Sequence, residues 1–184
     1  GGPDLLDEKA LSEFFLSIKP NVVYHLAGQA DVAASWKNPK KTFQVNAEGT
    51  LNVLLACRKA GVQRVLTVSS AEVYGNVDQS KLPINESFPL LPTSPYAASK
   101  AAAEMISIQQ TTPAMEVMRA RSFNHFGPGQ NEHFVASALA LRILRAQKSG
   151  EKTIPVGRLD TRRDFTDVRD VVRAYRSIIF YLIP

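Results

Sequence analysis

Tyr96 and Lys100 stand four residues apart in Ser94-Pro95-Tyr96-Ala97-Ala98-Ser99-Lys100. At that spacing two side chains share one helix face. A phenol with a pKa of about 10 is a poor base near neutral pH. An ammonium beside it favours the phenolate, so the pair can handle a proton. The same pair arises by chance at the polar start of a helix, and both readings stand until other residues decide. Ser70 and Glu72 add a hydroxyl and a carboxylate. Two apart in an extended chain, they would point to one face. Glu72 alone could equally be a solvated loop carboxylate. His25, His125 and His133 have no cysteine or carboxylate at ligand spacing, so no metal is expected.

The elements that must position these groups follow from apolar periodicity. Asp7 can cap a helix with Leu11, Phe14, Phe15 and Ile18 on one stripe, ended by Pro20. Short apolar runs at 22–28, 64–70 and 115–123 read as buried strands. Between them the spacing predicts helices over about 39–60, closed by Gly61, and about 95–110, opened by Pro95. A further helix over about 133–148 uses Phe134, Ala138, Leu141 and Leu144. A short strand is expected near Lys152–Gly157. A last helix after Asp167 places Val168, Val171, Val172, Tyr175, Ile178, Ile179 and Leu182 on one face. Apolar strands alternating with amphipathic helices mean an α/β fold with a parallel sheet. Ligands bind such sheets beyond the carboxyl ends of the strands. Those ends read "HLAG", "SSAEVYG" and "SFNHFGPG", each turning polar or Gly-rich as the apolar run stops.

Composition narrows the class. The 184 residues are enough for one ordinary domain or a piece of a larger one. Hydrophobic content of 45% and charged content of 21% are those of a soluble globular protein. No apolar run approaches the roughly 20 residues that span a bilayer, and the first residues do not resemble a secretory leader. The single cysteine, Cys57, excludes an internal disulfide framework and reads as an inert buried thiol. A reducing, cytoplasmic location is therefore expected. The net charge of +5 lies wholly in residues 142–184, with 10 basic against 5 acidic residues; residues 1–141 balance at 12 and 12. That excess suits an anionic ligand, or simply a solvated helix face. Nucleic acid is not expected, because the aromatics are not interleaved with the basic residues.

Together "SSAEVYG", "SPYAASK", "NHFGPGQ", "RRDFTDVRDVV" and "HLAGQADVAASWKNPKKTFQVNAEGTLNVL" resemble the extended short-chain dehydrogenase/reductase family. The likeness is to its nucleotide-sugar branch, and within that to the GDP-mannose reductases and dehydratases. It covers nearly the whole chain, with five motifs in order. It implies a Rossmann-like, doubly wound parallel sheet over residues 1–126 and part of a small substrate-binding region over 127–184. It implies catalytic roles for Ser70, Glu72, Tyr96 and Lys100. Tyr96 would exchange a proton with the sugar C4 oxygen, Ser70 would bond that oxygen, and Lys100 would also hold the nicotinamide ribose. A Glu at position 72 serves C5 deprotonation in the dehydratases, yet reductases also carry an acidic residue there. The cofactor, NADP or NAD, would be held by Asp4, Leu5, Ala27, Gly28, Gln29, Ser69, Tyr96, Lys100 and Phe123. Asn124, His125, Arg158 and Arg163 would bind the nucleotide sugar, expected to be GDP-linked, with Arg142 a looser candidate. Asn46 would be structural.

The same resemblance implies a homodimer built on the helices near 39–60 and 95–110. The dehydratases carry a double Arg after the "NH" loop. Here that region reads "GPGQNEHF", which favours a reductase of a GDP-4-keto-6-deoxy-hexose, with the 4,6-dehydratase as the alternative and a non-catalytic remnant as the second. The family's Gly-rich phosphate turn is not in the sequence, and both ends look cut. The expectation is a fragment whose N-terminal strands are missing and which binds cofactor poorly alone.

Overall fold

Asp7 does what its side chain suits it to do. Its Oδ1 accepts the Ala10 N–H at 2.9 Å and starts α1, Glu8–Ile18. The helix stops at Lys19, which is left-handed at φ 41°, just before Pro20. Leu11 and Phe15 are buried against α4, Gly49–Lys59. Phe14 and Ile18, expected on the same stripe, are 41% and 52% exposed. One neighbouring helix covers a narrower stripe than the periodicity allows. The computed structural model describes residues 2–160 and 162–181.

Three strands form a parallel sheet in the order β1, Val22–His25; β2, Arg64–Val68; and β3, Glu116–Ala120. Val22 pairs with Arg64, and Arg64 with Glu116. Val65, Leu66 and Thr67 in β2 are all buried. Successive strand residues point to opposite faces, so both faces of β2 are covered. That is the α/β, doubly wound arrangement expected of a Rossmann-like chain. Between β1 and β2 lie α2, Val32–Lys37, capped by Asp31, and α3, Pro39–Phe43, capped by Asn38. A π-helical turn, Gln44–Glu48, then leads into α4. The single helix expected over 39–60 is therefore interrupted, and α2 was not foreseen. After α4, Gly61 takes φ 74°. A 3-10 turn, Ala71–Tyr74, follows β2. Helix α5, Pro95–Gln110, precedes β3 and is capped by Ser94, whose Oγ accepts from Ala97 N at 3.1 Å.

The chain divides into two units, Gly1–Ser122 with Ala174–Pro184, and Phe123–Arg173. The sequence reading draws one boundary at 126/127. In the second unit β4, Asn124–Phe126, pairs in parallel with β5, Phe165–Asp167. The Phe126 and Phe165 rings meet edge to face at 5.8 Å. Helix α6, Val135–Ser149, ends at Gly150 with φ 76°. Lys152–Gly157 forms no strand; Pro155 cannot donate to a ladder, and its carbonyl accepts from Arg142 Nη1 at 2.9 Å. Phe134 is the N-cap of α6 rather than a helical residue. Leu144 and Val172 are 52% and 56% exposed, not buried on their expected faces. Helix α7, Val168–Tyr181, begins in this unit and buries Tyr175 and Ile179 in the first. Leu182 lies outside the described residues. Among those described, no helix is long and apolar enough to cross a membrane.

Candidate active site

The carboxyl end of β1 is built around Asn46. The π turn directs this side chain inward, where it is 2% exposed. Its Oδ1 accepts the Gln29 N–H at 2.8 Å, and its Nδ2 donates to Gln29 O at 3.0 Å and Ser99 Oγ at 2.9 Å. Ser99 Oγ donates onward to Tyr96 O at 2.7 Å. One amide thus ties the Ala27-Gly28-Gln29 loop to the helix that carries Tyr96 and Lys100. Asn46 makes these bonds from a π turn that no sequence pattern marks. One turn on, at the start of α4, Thr50 Oγ1 donates to Asn46 O at 2.6 Å. Its one proton is then used, so His25 Nε2 donates to Thr50 Oγ1 across 3.0 Å and the imidazole is the Nε2–H tautomer.

The end of β2 supplies the hydroxyls. Ser69 and Ser70 are buried. Ser69 Oγ has no hydrogen-bond partner among the described residues. Ser70 caps the 3-10 turn, its Oγ accepting the Glu72 N–H at 3.2 Å. Ser70 and Glu72 were expected to share a face by strand alternation. The strand has ended at Val68, and a helical turn sets their relation instead. The Ser70 hydroxyl is close enough to favour ionisation of Tyr96, and Glu72 is close enough for its charge to act on that phenol. The structure thus brings together Ser70, Glu72 and Tyr96, with Lys100 one turn along α5.

The electrostatics differ from the simple Tyr–Lys pair. Burial raises the Tyr96 phenol above its ordinary value; the Ser70 hydroxyl opposes this, and Glu72 and Tyr175 add to the rise. Lys100 is not what tunes it. The ammonium donates to Val68 O at 2.9 Å, and burial lowers its pKa to about 8. Burial, aided by Lys100, lowers His25 to about 4, consistent with its neutral tautomer. The Cys57 thiol is buried and pushed up to about 12 by desolvation, the inert state expected of it.

The remaining candidates are spread more widely. Asp4 is exposed, and its Oδ1 accepts the Leu6 N–H at 2.9 Å; Leu5 O accepts from Asn52 Nδ2 at 3.0 Å. In the second unit Phe123 is 39% exposed and Asn124 lies in β4. His125 Nδ1 lies 3.1 Å from Phe123 O, and Gln130 Nε2 donates to His125 O at 3.1 Å. Arg158 is exposed and paired with Asp160. Exposed Arg163 donates to Arg162 O at 3.1 Å. Sequence reasoning missed one feature of the first unit, a buried ion pair between Glu104 and Arg121 beside Tyr74. The signal available was Glu104 itself, one turn beyond Lys100 on an otherwise Ala-rich helix.

A nicotinamide cofactor can be tested against these strand ends. A side chain at position 28 would fill the space beside Asn46 Oδ1, 2.9 Å from the added carbon, and Lys100 Nζ, at 3.7 Å. Glycine keeps that space open. The buried Ser69 Oγ and Gln29 Oε1 both lack partners among the described residues. Hydrogen-bonding capacity beside an open backbone fits a polar dinucleotide.

Comparison with known proteins places the chain in a family. A family model described as GDP-mannose 4,6 dehydratase matches residues 2–181. The chain is 40% identical to a GDP-6-deoxy-D-mannose reductase of Pseudomonas aeruginosa over 179 residues, 96% of this chain and 59% of that protein. It is 33% identical to a GDP-mannose 4,6-dehydratase of Vibrio cholerae over 174 residues, 92% of this chain and 46% of that one. Among solved structures, RMD from Pseudomonas aeruginosa complexed with NADPH superposes with a TM-score of 0.87 at 41% identity, covering 96% of this chain and 61% of that one. A Thermus thermophilus UDP-glucose 4-epimerase complexed with NAD gives 0.84 at 34% identity, covering 98% and 60%. The chain thus spans 46% to 61% of the length of these relatives.

Proposed function

Because the chain belongs to the GDP-mannose 4,6 dehydratase family over residues 2–181, we propose that it carries the proton-handling part of an NAD(P)-dependent nucleotide-sugar reductase. The substrate is a GDP-4-keto-6-deoxy-hexose, reduced at C4. The observation that carries the reading is the buried Tyr96 phenol, standing by Ser70 at the carboxyl end of β2 with Lys100 one turn away. When bound, the nicotinamide supplies the hydride to C4. Tyr96 gives its phenolic proton to the C4 oxygen, turning carbonyl into alcohol and leaving a phenolate. Ser70 holds the same oxygen and the phenolate. Burial keeps Tyr96 protonated at neutral pH, the form an acid needs. Lys100, lowered to about 8, still carries its charge at pH 7 and balances the phenolate as it forms.

Ala27, Gly28, Gln29, Ser69, Lys100 and, at the adenosine end, Asp4 and Leu5 would hold the cofactor, with Phe123 beside the nicotinamide. Asn124, His125, Arg158 and Arg163 would bind the nucleotide diphosphate. Arginine suits that role because its fork meets phosphate oxygens in pairs. Arg163 forms no ion pair among the described residues, whereas Arg158 must first leave Asp160. Similarity to the Pseudomonas reductase supports the reductase reading. A second reading, 4,6-dehydration of GDP-mannose, is favoured by Glu72, an exposed carboxylate whose charge reaches Tyr96.

We further propose that two copies pair through α3–α4 and α5. Met105 and Ile108, 49% and 48% exposed, share one face of α5, and α3, which packs on α5, exposes Phe43 at 51%.

The test of activity uses the protein made from its whole reading frame. Incubated with the GDP-4-keto sugar and NADPH or NADH, it should oxidise the nucleotide in step with loss of the ketone. Formation of a 4-keto product from GDP-mannose with no added reductant would sink the reductase reading in favour of the dehydratase.

A further inference from the structure

The groups assigned to proton handling sit on two separate elements. Ser70 and Glu72 belong to the turn after β2; Tyr96 and Lys100 belong to α5. A hydroxyl beside a phenol cannot set the distance between those elements by itself, since even a well-formed hydrogen bond typically contributes about 1 kcal/mol. A stronger connection lies on the far side of the same turn. Arg121, just after β3, donates from Nε to both Glu104 oxygens at 2.9 and 3.1 Å and from Nη2 to Oε2 at 2.9 Å. Its remaining nitrogen, Nη1, donates to Tyr74 OH at 3.0 Å and Glu86 O at 3.1 Å. The guanidinium also stands 5.0 Å from the centre of the Tyr74 ring. Glu104 is 1% exposed, and it lies two helical turns beyond Tyr96 and one beyond Lys100 on the same face of α5. Tyr74 closes the 3-10 turn that Ser70 caps and Glu72 occupies.

One planar, always-charged group therefore grips the helix of Tyr96 and the turn of Ser70 at once. Lysine could not reproduce this, because the grip depends on five donors in a fixed fork. We propose that Arg121, locked in place by Glu104, is a positioning residue that holds Ser70 and Glu72 in register with Tyr96 and Lys100. The inference rests on the catalytic reading of those four residues. Displacements of about 1 Å remote from the reacting atoms can cost roughly 100-fold in rate, so the brace governs turnover more than binding.

The experiment compares steady-state kinetics, the pH dependence of kcat and thermal unfolding of the whole protein with those of four variants. Tyr96→Phe tests the catalytic reading itself and should lose about 1000-fold in kcat. The double variant Glu104→Leu with Arg121→Met replaces the buried pair with apolar groups of similar size, an exchange interiors commonly tolerate. It should unfold near the parental temperature while kcat falls about 10- to 100-fold and KM stays within about threefold. Its pH profile should move too, the pKa of the acid rising as Ser70 draws away from the phenol. Arg121→Lys, which keeps the charge and loses the fork, should not restore kcat. Tyr74→Phe removes only the phenol oxygen from the brace and should lower kcat about threefold; it decides the matter if the double variant does not fold. Unchanged kcat and pH profile in the double variant, or in Tyr74→Phe in its place, would overturn the positioning role. If Tyr96→Phe is inactive in that event, the catalytic reading survives alone. If Tyr96→Phe stays active, the catalytic reading falls and this inference with it.

Discussion

At the scale of single residues, burial changes what each titratable group can do. Tyr96 looks, in the sequence, like a phenol activated by a nearby cation. In the folded chain desolvation dominates it and Ser70 is the group that eases ionisation. Lys100 faces the backbone of β2, where it secures Val68 O. His25 is a residue whose chemistry is stability. Its folded pKa of about 4 lies below the ordinary value of 6.5. Above pH 6.5 both folded and unfolded chains hold it neutral, so its contribution is constant. As pH falls from 6.5 toward 4, the unfolded chain takes up the proton first and stability is lost, on the order of 3 kcal/mol in all. His25→Gln, which keeps a donor for Thr50, should flatten that part of the acid limb. Denaturant unfolding at a series of pH values measures it; parallel curves for parent and variant would refute this account of His25.

At the scale of elements, the site depends on interruptions of regular structure. The π turn Gln44–Glu48 rotates Asn46 into the molecule, where its amide makes three hydrogen bonds to Gln29 and Ser99. Asn46→Leu strands those buried groups and should destabilise the protein by about 3 kcal/mol or more, because each unsatisfied group costs roughly 1–3 kcal/mol. Thermal or denaturant unfolding reads this directly, and a loss below about 1 kcal/mol would show that water replaces the amide. Gly75 ends the 3-10 turn at φ 67°, with Leu91 O only 1.9 Å from where a Cβ would stand. Only glycine fits there, so the turn that presents Ser70 and Glu72 is fixed at its far end by sterics as well as by Arg121.

At the scale of the whole molecule, apolar side chains left on the surface are the basis of the proposed pairing. Met105 and Ile108 on α5 and Phe43 on α3 are each about half exposed. If they form a subunit interface, Met105→Lys with Ile108→Lys should convert dimer to monomer in sedimentation velocity while leaving the secondary structure intact. A parent already monomeric at micromolar concentration would remove the basis for the pairing. The sequence by itself determined the α/β class, the order of the main elements and the ends of α5, and it supplied the candidates for proton handling. Apolar periodicity, capping and motif spacing are local properties, and they survive in one dimension. Tertiary structure decided how those residues act. The interruption of the helix at Asn46, the shift from strand to turn between Ser70 and Glu72, and the redirection of Lys100 toward Val68 all depend on what packs against them. So do the exposures of Phe14, Leu144 and Val172. The Arg121–Glu104 brace joins residues 17 positions apart in sequence whose meeting is set by the docking of α5 beside β3. Burial and long-range hydrogen bonding are properties of the folded chain, and no spacing rule encodes them.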